Sequence, residues 1–518
     1  MNINRTIATL IATLSLLLPL SLAAKENPQR TEIKVQSSEK WWGLVVEPER
    51  VMLPFEGSFV VNTSEFSPTL YRANVLLSNR GRYLWSEEPF TVSFDGKQIV
   101  VSVSEGEAPK LQKSGRTLRE AYLMCIHKNC PPTDIELTPL LFRNPIYELG
   151  GSEALLTNQE SVLAFARTLK DKGVPNGTIL LPLGWNSPTG ALTFDTEAFD
   201  SPRTMIDSLH AEGMQVMLTV TPYVMAAGRG YQLGRKEGRL LTNDGGEPVV
   251  FQTRLGYTAC LDLTEPLIDL MTESLTQLQT DYGVDGFYFD CLDALPLLEQ
   301  NPTQLEEFLS AWHSIGSKVN VALYSTPRCN RYGNSASSVS TARHYTWDSL
   351  SESLERAIDA SLLGFGHTSL AADLDFEHNN QELILRTAQL SAMLPVAIVP
   401  YSVWGLKDNA PLLKILDWRA QSGDYYLELA RAGSSSAEPI VRHLEYQFPR
   451  TGFTNCRDEF MVGTRWLIAP VVNSAGVRMV RLPKGRWRDY ESGRIFKGPR
   501  VIDANVADGK VAIFEKVD

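Results

Sequence analysis

Gly283-Val-Asp-Gly-Phe-Tyr-Phe-Asp290 is the stretch on which the fold turns. Phe287, Tyr288 and Phe289 form a short aromatic run between a glycine-containing turn and a carboxylate, the pattern of a buried strand that stops at Asp290. Cys291-Leu-Asp293 and Leu295-Pro296 follow, and then a helical pattern. A carboxylate where a strand ends and a helix begins lies at the C-terminal mouth of a parallel sheet. In a barrel of alternating strands and helices, that mouth holds the chemistry. Read locally, the same Asp is a helix cap or a turn residue. The rest of the chain must therefore supply a barrel and a second carboxylate.

Outward from Asp290, residues 141–424 alternate strand and helix. The expected strands are Ile146-Tyr-Glu-Leu, Thr178-Ile-Leu-Leu-Pro-Leu, Gln215-Val-Met-Leu-Thr-Val, Gly286-Phe-Tyr-Phe, Val319-Asn-Val-Ala-Leu-Tyr, His344-Tyr-Thr-Trp, Thr368-Ser-Leu-Ala-Ala and Pro395-Val-Ala-Ile-Val. Helical patterns lie between them, at 160–172, 203–212, 266–278, 305–315, 351–363 and 380–393, each with apolar residues at three- and four-residue spacing. Such alternation predicts a parallel sheet, and eight units predict a closed (β/α)8 TIM barrel of α/β class. The segment 223–256 is too long for a simple connection and is read as a loop over the barrel mouth.

The flanks change character. Residues 25–140 carry short alternating strands such as Gly57-Ser-Phe-Val-Val and Ile99-Val-Val-Ser-Val-Ser, separated by turns at Asp95-Gly96 and Asn79-Arg-Gly81. An N-terminal β-sandwich is expected there, and a second sandwich over 425–518. Residues 1–24 read as an export signal: Arg5, an apolar run from Thr6 to Leu20, and small residues at Ser21-Leu-Ala23-Ala24. The protein is then secreted or periplasmic, with no stable membrane insertion after cleavage; an uncleaved membrane anchor is the alternative.

Net charge is −11, from 60 acidic and 49 basic residues, and no long Lys/Arg run appears, which argues against nucleic acid as a partner. Oligomeric state is not legible. Six cysteines in 518 residues are too few for a disulfide scaffold. Cys125 and Cys130 are close enough to pair, while mostly buried or free thiols is the simpler expectation.

On this strand count Asp290 ends the fourth barrel strand, Asp348 the sixth and Asp373 the seventh. Several carboxylates at one rim suit glycoside cleavage, where one attacks and another protonates the leaving oxygen. Trp185 and Trp347 offer flat faces to a sugar ring, or are core residues. Asp293, beside Asp290, joins the substrate-binding set. Capping is the rival role for each Asp, and Asp348-Ser-Leu-Ser-Glu resembles a helix start. His367, Asp373, Asp375 and His378 fit no specific metal-ligand spacing, so no metal is assigned. No phosphate-binding or dinucleotide motif appears.

Several spaced stretches carry a family resemblance. They are Gly81-Arg-Tyr-Leu-Trp-Ser-Glu-Glu-Pro-Phe90, Phe199-Asp-Ser-Pro-Arg-Thr-Met-Ile-Asp-Ser-Leu-His210, Leu261-Asp-Leu-Thr-Glu-Pro266, Pro439-Ile-Val-Arg-His-Leu444, Asp458-Glu-Phe-Met-Val-Gly463 and Leu467-Ile-Ala-Pro-Val471. In order, they resemble glycoside hydrolase family 31, nearest to its myogenesis-regulating glycosidase branch. The resemblance implies a retaining α-glycosidase with Asp290 as nucleophile and Asp348 as acid/base. It also implies that Arg343, four residues before Trp347, and Asp373 touch the sugar. Pro182-Leu-Gly184 stand before Trp185 where the branch has acidic residues, and Asp375-Phe376 replace glycines. The expected substrate is an α-galactoside or α-glucoside, cleaved without a cofactor. The alternatives are a degenerate barrel that only binds glycans, and an α-transglycosidase.

Overall fold

The computed structural model describes residues 29–45, 53–65, 72–104, 106–131, 138–150, 157–186, 192–243, 245–253, 256–298, 302–326, 335–339, 344–372, 374–376 and 380–517. The export signal, Arg343 and Asp373 lie outside them.

Eight parallel strands form the centre. They are Ile146–Glu148, Thr178–Leu181, Gln215–Val220, Gly286–Phe289, Ala322–Tyr324, Ser335–Ser338, Thr368–Ser369 and Ile398–Val399, called the first to the eighth below. They neighbour one another in chain order, and the eighth pairs back onto the first. At the remaining seam, the Val396 backbone N–H donates to the Thr368 carbonyl (3.0 Å), joining the seventh and eighth strands. Every residue of the second and fourth strands is buried. This follows from their sequence: strands covered on both faces need unbroken apolar runs, as in Thr-Ile-Leu-Leu and Gly-Phe-Tyr-Phe.

The helices start where their caps dictate. Asn158 caps Gln159–Asp171 by accepting from the Ser161 backbone N–H, and the Ser161 hydroxyl returns a bond to the cap. Asn380 caps Gln381–Met393 by accepting from the Leu383 backbone N–H (3.1 Å). Asn and Ser satisfy backbone donors that an apolar side chain would leave bare.

Three expectations for residues 141–424 and their end are corrected. The sixth strand is Ser335–Ser338, whereas His344–Trp347 was expected. Ser-Ala-Ser-Ser has neither β-branched nor aromatic residues, so pattern alone passes over it. His344–Tyr345 instead pairs with Asp375–Phe376 in a separate two-stranded parallel ladder. The segment after the third strand, read as a loop over the barrel mouth, has regular structure of its own. It holds a three-stranded antiparallel sheet (Tyr223–Met225, Gly256–Cys260, Val250–Thr253) and the helix Arg229–Glu237. Third, residue 425 falls inside one continuous helix, Ala410–Ser436.

N-terminal to the barrel lie two four-stranded antiparallel sheets. Trp41, Trp42, Leu76 and Val101 are fully buried between their elements. The turn at Gly81 has φ 76°, and a Cβ there would meet the Gly115 carbonyl oxygen at 2.4 Å, so this close approach requires glycine. C-terminally, the described residues form one six-stranded antiparallel sheet, where two facing sheets were expected. Its hairpin of Arg478–Asp489 and Ile495–Ala504 is long and irregular between Leu482 and Gly485, so it reads in sequence as separate short strands. Cys125 and Cys130 form no disulfide. No helix among the described residues is long and apolar enough to cross a membrane.

Candidate active site

Asp290 directly follows the fourth strand and is 1% exposed. Its backbone N–H donates to the Val220 carbonyl of the third strand (2.9 Å). On the other side, the Ser325 N–H donates to the Phe289 carbonyl, and the Cys291 N–H donates to the Ser325 hydroxyl (3.2 Å). The main chain around Asp290 is thus fixed from both neighbouring strands. One carboxylate oxygen accepts from the Leu292 N–H (3.2 Å).

Strand alternation fixes where the side chain points. Phe289 packs edge-on against Trp312 of the helix Pro302–Ser317, so it faces outward. Tyr288 and Asp290, one residue to either side, therefore face the barrel interior.

Asp293 lies half-buried in the single turn Leu292–Ala294. Tyr223, from the insertion after the third strand, accepts from the Ala294 N–H (3.1 Å). Burial first, then the charge of nearby Asp290, push the Tyr223 phenol well above its ordinary range, so it stays protonated. Sequence reading missed Tyr223 because it sat within a stretch taken for a loop. Its only signal was its position three residues beyond the end of the third strand.

Asp348 lies in the first turn of the helix Trp347–Leu362 and is exposed; Trp347 is half-buried against the core. The cap of this helix is Thr346, which accepts from the Ser349 N–H (3.2 Å), so Asp348 is not the capping residue. The ladder with Asp375–Phe376 holds the turn before Thr346, and the Tyr345 hydroxyl donates to the Ser353 hydroxyl (2.6 Å). The connections after the sixth and seventh strands are thereby tied together.

Trp185 is 1% exposed. Its indole N–H donates to the Thr219 carbonyl (2.7 Å), and its ring packs edge-on against Phe194. It borders a cavity of about 800 Å³ between the insertion and the helix Glu265–Tyr282. Asp290, Asp293, Trp347 and Asp348 do not line that cavity.

Of the residues considered as metal ligands, His367 is buried edge-on against Phe142 and Asp375 is exposed. Among the described residues, Cys456, Asp458 and Glu459 cluster closely enough to share an ion. Arg478 and Arg481 already pair with these carboxylates, at 2.7 Å to Asp458 and 2.8 Å to Glu459.

A parallel eight-stranded β/α sheet, with an acidic side chain directed inward at the C-terminal end of its fourth strand, places the chain among the (β/α)8 proteins that work at that rim. The chain belongs to glycoside hydrolase family 31. Residues 145–322 match the family's TIM-barrel domain, and residues 437–517 match its C-terminal domain.

The chain is 23% identical over 418 residues to alpha-glucosidase 2 of Bacillus thermoamyloliquefaciens, covering 71% of this chain and 52% of that protein. It is 22% identical over 382 residues to alpha-xylosidase XylQ of Lactiplantibacillus pentosus, covering 66% and 49%. The chain thus spans about half the length of these relatives. Among solved structures it resembles a GH31 alpha-xylosidase from a soil metagenome complexed with xylose (TM-score 0.74, 18% identity, 94% of this chain and 79% of that one). A Flavobacterium johnsoniae GH31 dextranase complexed with glucose is similar too (TM-score 0.76, 14% identity, 94% and 66%).

Proposed function

We propose that the protein is a retaining α-glycosidase. Asp290 attacks the anomeric carbon while Asp348 protonates the glycosidic oxygen. The C–O bond to the leaving group breaks as the bond to Asp290 forms. Asp348, now a carboxylate, takes a proton from water, whose oxygen displaces Asp290 and restores it. Both steps invert, so configuration is retained. No cofactor enters.

The observation that carries this is the setting of Asp290: buried, inward-facing and fixed through its main chain between two strands of a family 31 barrel. A nucleophile needs such restraint, because a displaced carboxylate loses much of its effective concentration. Trp347, Asp293, Arg343 and Asp373 complete the sugar-binding set in this proposal. Relatives named alpha-glucosidase and alpha-xylosidase favour a neutral α-linked sugar; the branch resemblance adds α-galactoside. Export by the N-terminal segment is part of the same proposal.

A screen of aryl α-glucosides, α-galactosides and α-xylosides against the purified chain tests it, with Asp290→Asn as control. Hydrolysis of at least one by wild type and none by the variant is expected. Equal turnover by both would refute the assignment. Sugar binding without turnover would favour the binding-only alternative. Sugar transfer to an acceptor in place of water would favour the transglycosidase.

A further inference from the structure

A separate cavity, of about 350 Å³, lies between the helix Ala410–Ser436 and the C-terminal sheet. This part of the helix packs on the segments that enter the first and eighth strands. Arg419 donates to the carbonyls of Phe142, Leu394 and Pro395, and a Cβ at Gly423 would meet the Arg143 carbonyl oxygen at 2.3 Å. Asp290 follows the opposite, C-terminal end of its strand. The height of the barrel therefore separates the two places.

Register builds the sheet wall of the cavity. Glu515, on the strand Ala512–Lys516, is paired with Trp466 on one side and with Arg488 on the other. Residues directly opposite in antiparallel strands share a face, so Trp466, Glu515 and Arg488 form one row about 10 Å long. Arg465 completes it. Its Nε and Nη2 donate to one Glu515 oxygen (3.0 and 2.7 Å), and its guanidinium lies over the Trp466 ring, 4.9 Å from the centroid. Arg488 donates to the other oxygen (3.1 Å). On the helix side, Trp418 packs edge-on against Trp466, and Gln421 hydrogen-bonds Tyr490.

The buried indoles make a rigid floor, while the rim stays open to solvent. Arg465 and Arg488 are half-exposed. A guanidinium has five N–H donors, of which Arg465 commits two and Arg488 one to Glu515.

This rim selects its ligand. An anion seeking both guanidiniums would meet Glu515, which already stands between them. A cation would meet the two arginines, and an apolar molecule would strip water from all three charges. A hydroxyl both donates and accepts, so neighbouring ring hydroxyls match a guanidinium beside a carboxylate. The partly exposed Tyr490 ring offers apolar surface to the C–H face of such a molecule.

We propose that this cavity is a second carbohydrate-binding site, which holds a neutral oligosaccharide at the end of the barrel remote from Asp290. It takes no part in bond cleavage, and the proposal does not depend on the catalytic reading.

The test is calorimetric titration of the full chain with maltotetraose, isomaltotetraose, stachyose and a xyloglucan heptasaccharide. Asp290→Asn serves as background, so that turnover does not interfere, and Arg488→Ala or Glu515→Ala is added to it. At least one oligosaccharide should bind, and each added substitution should weaken that binding at least ~10-fold, as loss of a hydrogen bond to a charged group does. With Asp290 intact, Arg488→Ala should leave Tm and kcat/KM on aryl α-glycosides unchanged, because exposed ion pairs contribute little to stability. In wild type, the bound oligosaccharide should protect Arg465 and Arg488 from phenylglyoxal, mapped by mass; this measurement decides the matter even if a variant fails to fold. Binding of none of the four, binding indifferent to both substitutions, no protection of the arginines, or displacement by inorganic sulfate would overturn the proposal. A fall in Tm and aryl-glycoside turnover alongside the lost binding would assign Arg488 a structural role and overturn it too. Arg488-dependent binding by a chain that hydrolyses no aryl α-glycoside would refute the hydrolase reading and sustain this one.

Discussion

At Asp348 the chemistry asks for a proton donor, and the need for it scales with the leaving group. Asp348→Asn should lower kcat by ~10²- to 10⁴-fold on a sugar–sugar linkage, the usual worth of a general acid. On an aryl glycoside whose phenolate leaves unaided, the first step should slow far less. kcat/KM on the two substrates, which reports the first step, checks this, and equal losses in it on both would argue for a structural role. The position of Asp290 after the fourth strand was legible in sequence, from the aromatic run before it, whereas Asp348 was expected to end the sixth strand and lies in the first turn of the helix Trp347–Leu362. Tyr223 was not legible: it sits in a stretch read as a loop, and gains meaning only where its hydroxyl accepts from the Ala294 N–H, next to Asp293. Trp185 was read as either a sugar platform or a core residue; pairing adds that its indole N–H is bonded to the Thr219 carbonyl.

The helix Trp347–Leu362 links several of these residues. Thr346→Ala removes the cap and should cost about 1 kcal/mol. It should also lower kcat on poor leaving groups, because the first turn carries Asp348. Thermal unfolding and the same rate pair would show both effects. At the other end of this helix, burial raises the Asp359 carboxyl to about 8, although Arg457 pulls the other way. A carboxyl raised in the folded state keeps a proton that the unfolded chain releases. Its contribution is full below about pH 4 and is lost as pH rises toward 8. His443, lowered by burial and by Arg457 and Arg481 to about 3, acts oppositely, but only below its ordinary range near 6.5. Between pH 6.5 and 8, therefore, Tm should fall in wild type and fall less in Asp359→Asn. An unchanged slope in the variant would contradict this. The helix itself was evident from its apolar spacing. The sixth strand that precedes it was not, since Ser335–Ser338 owes its strand geometry to pairing with the fifth and seventh strands.

The whole molecule is held together by buried polar ties that composition does not reveal. Arg419, fully buried on Ala410–Ser436, donates to the carbonyls of Leu394 (2.6 Å), Pro395 (2.8 Å) and Phe142 (2.8 Å). It thereby joins the helix to the segments entering the first and eighth strands. The burial lowers its guanidinium to about 10, still charged at neutral pH. Arg419→Leu leaves these carbonyls bare and should cost more than about 3 kcal/mol, read from denaturant unfolding. A smaller loss would mean that the carbonyls find other partners. Arg457 is a second tie, from the C-terminal region to the Leu53 carbonyl and to Glu355 of the helix carrying Asp348. Alternating strands and helices announced the barrel, while the length of the C-terminal hairpin and the helix across residue 425 emerged only from pairing and packing.

The central claim, that Asp290 attacks the anomeric carbon, is tested most directly by an α-configured cyclitol epoxide, which traps such a nucleophile. The purified chain is incubated with the probe, digested and mapped by mass. A single adduct on Asp290, blocked by competing sugar and absent from Asp290→Asn, is the result expected. An adduct on another residue, or an unlabelled chain that still hydrolyses aryl α-glycosides, would contradict it.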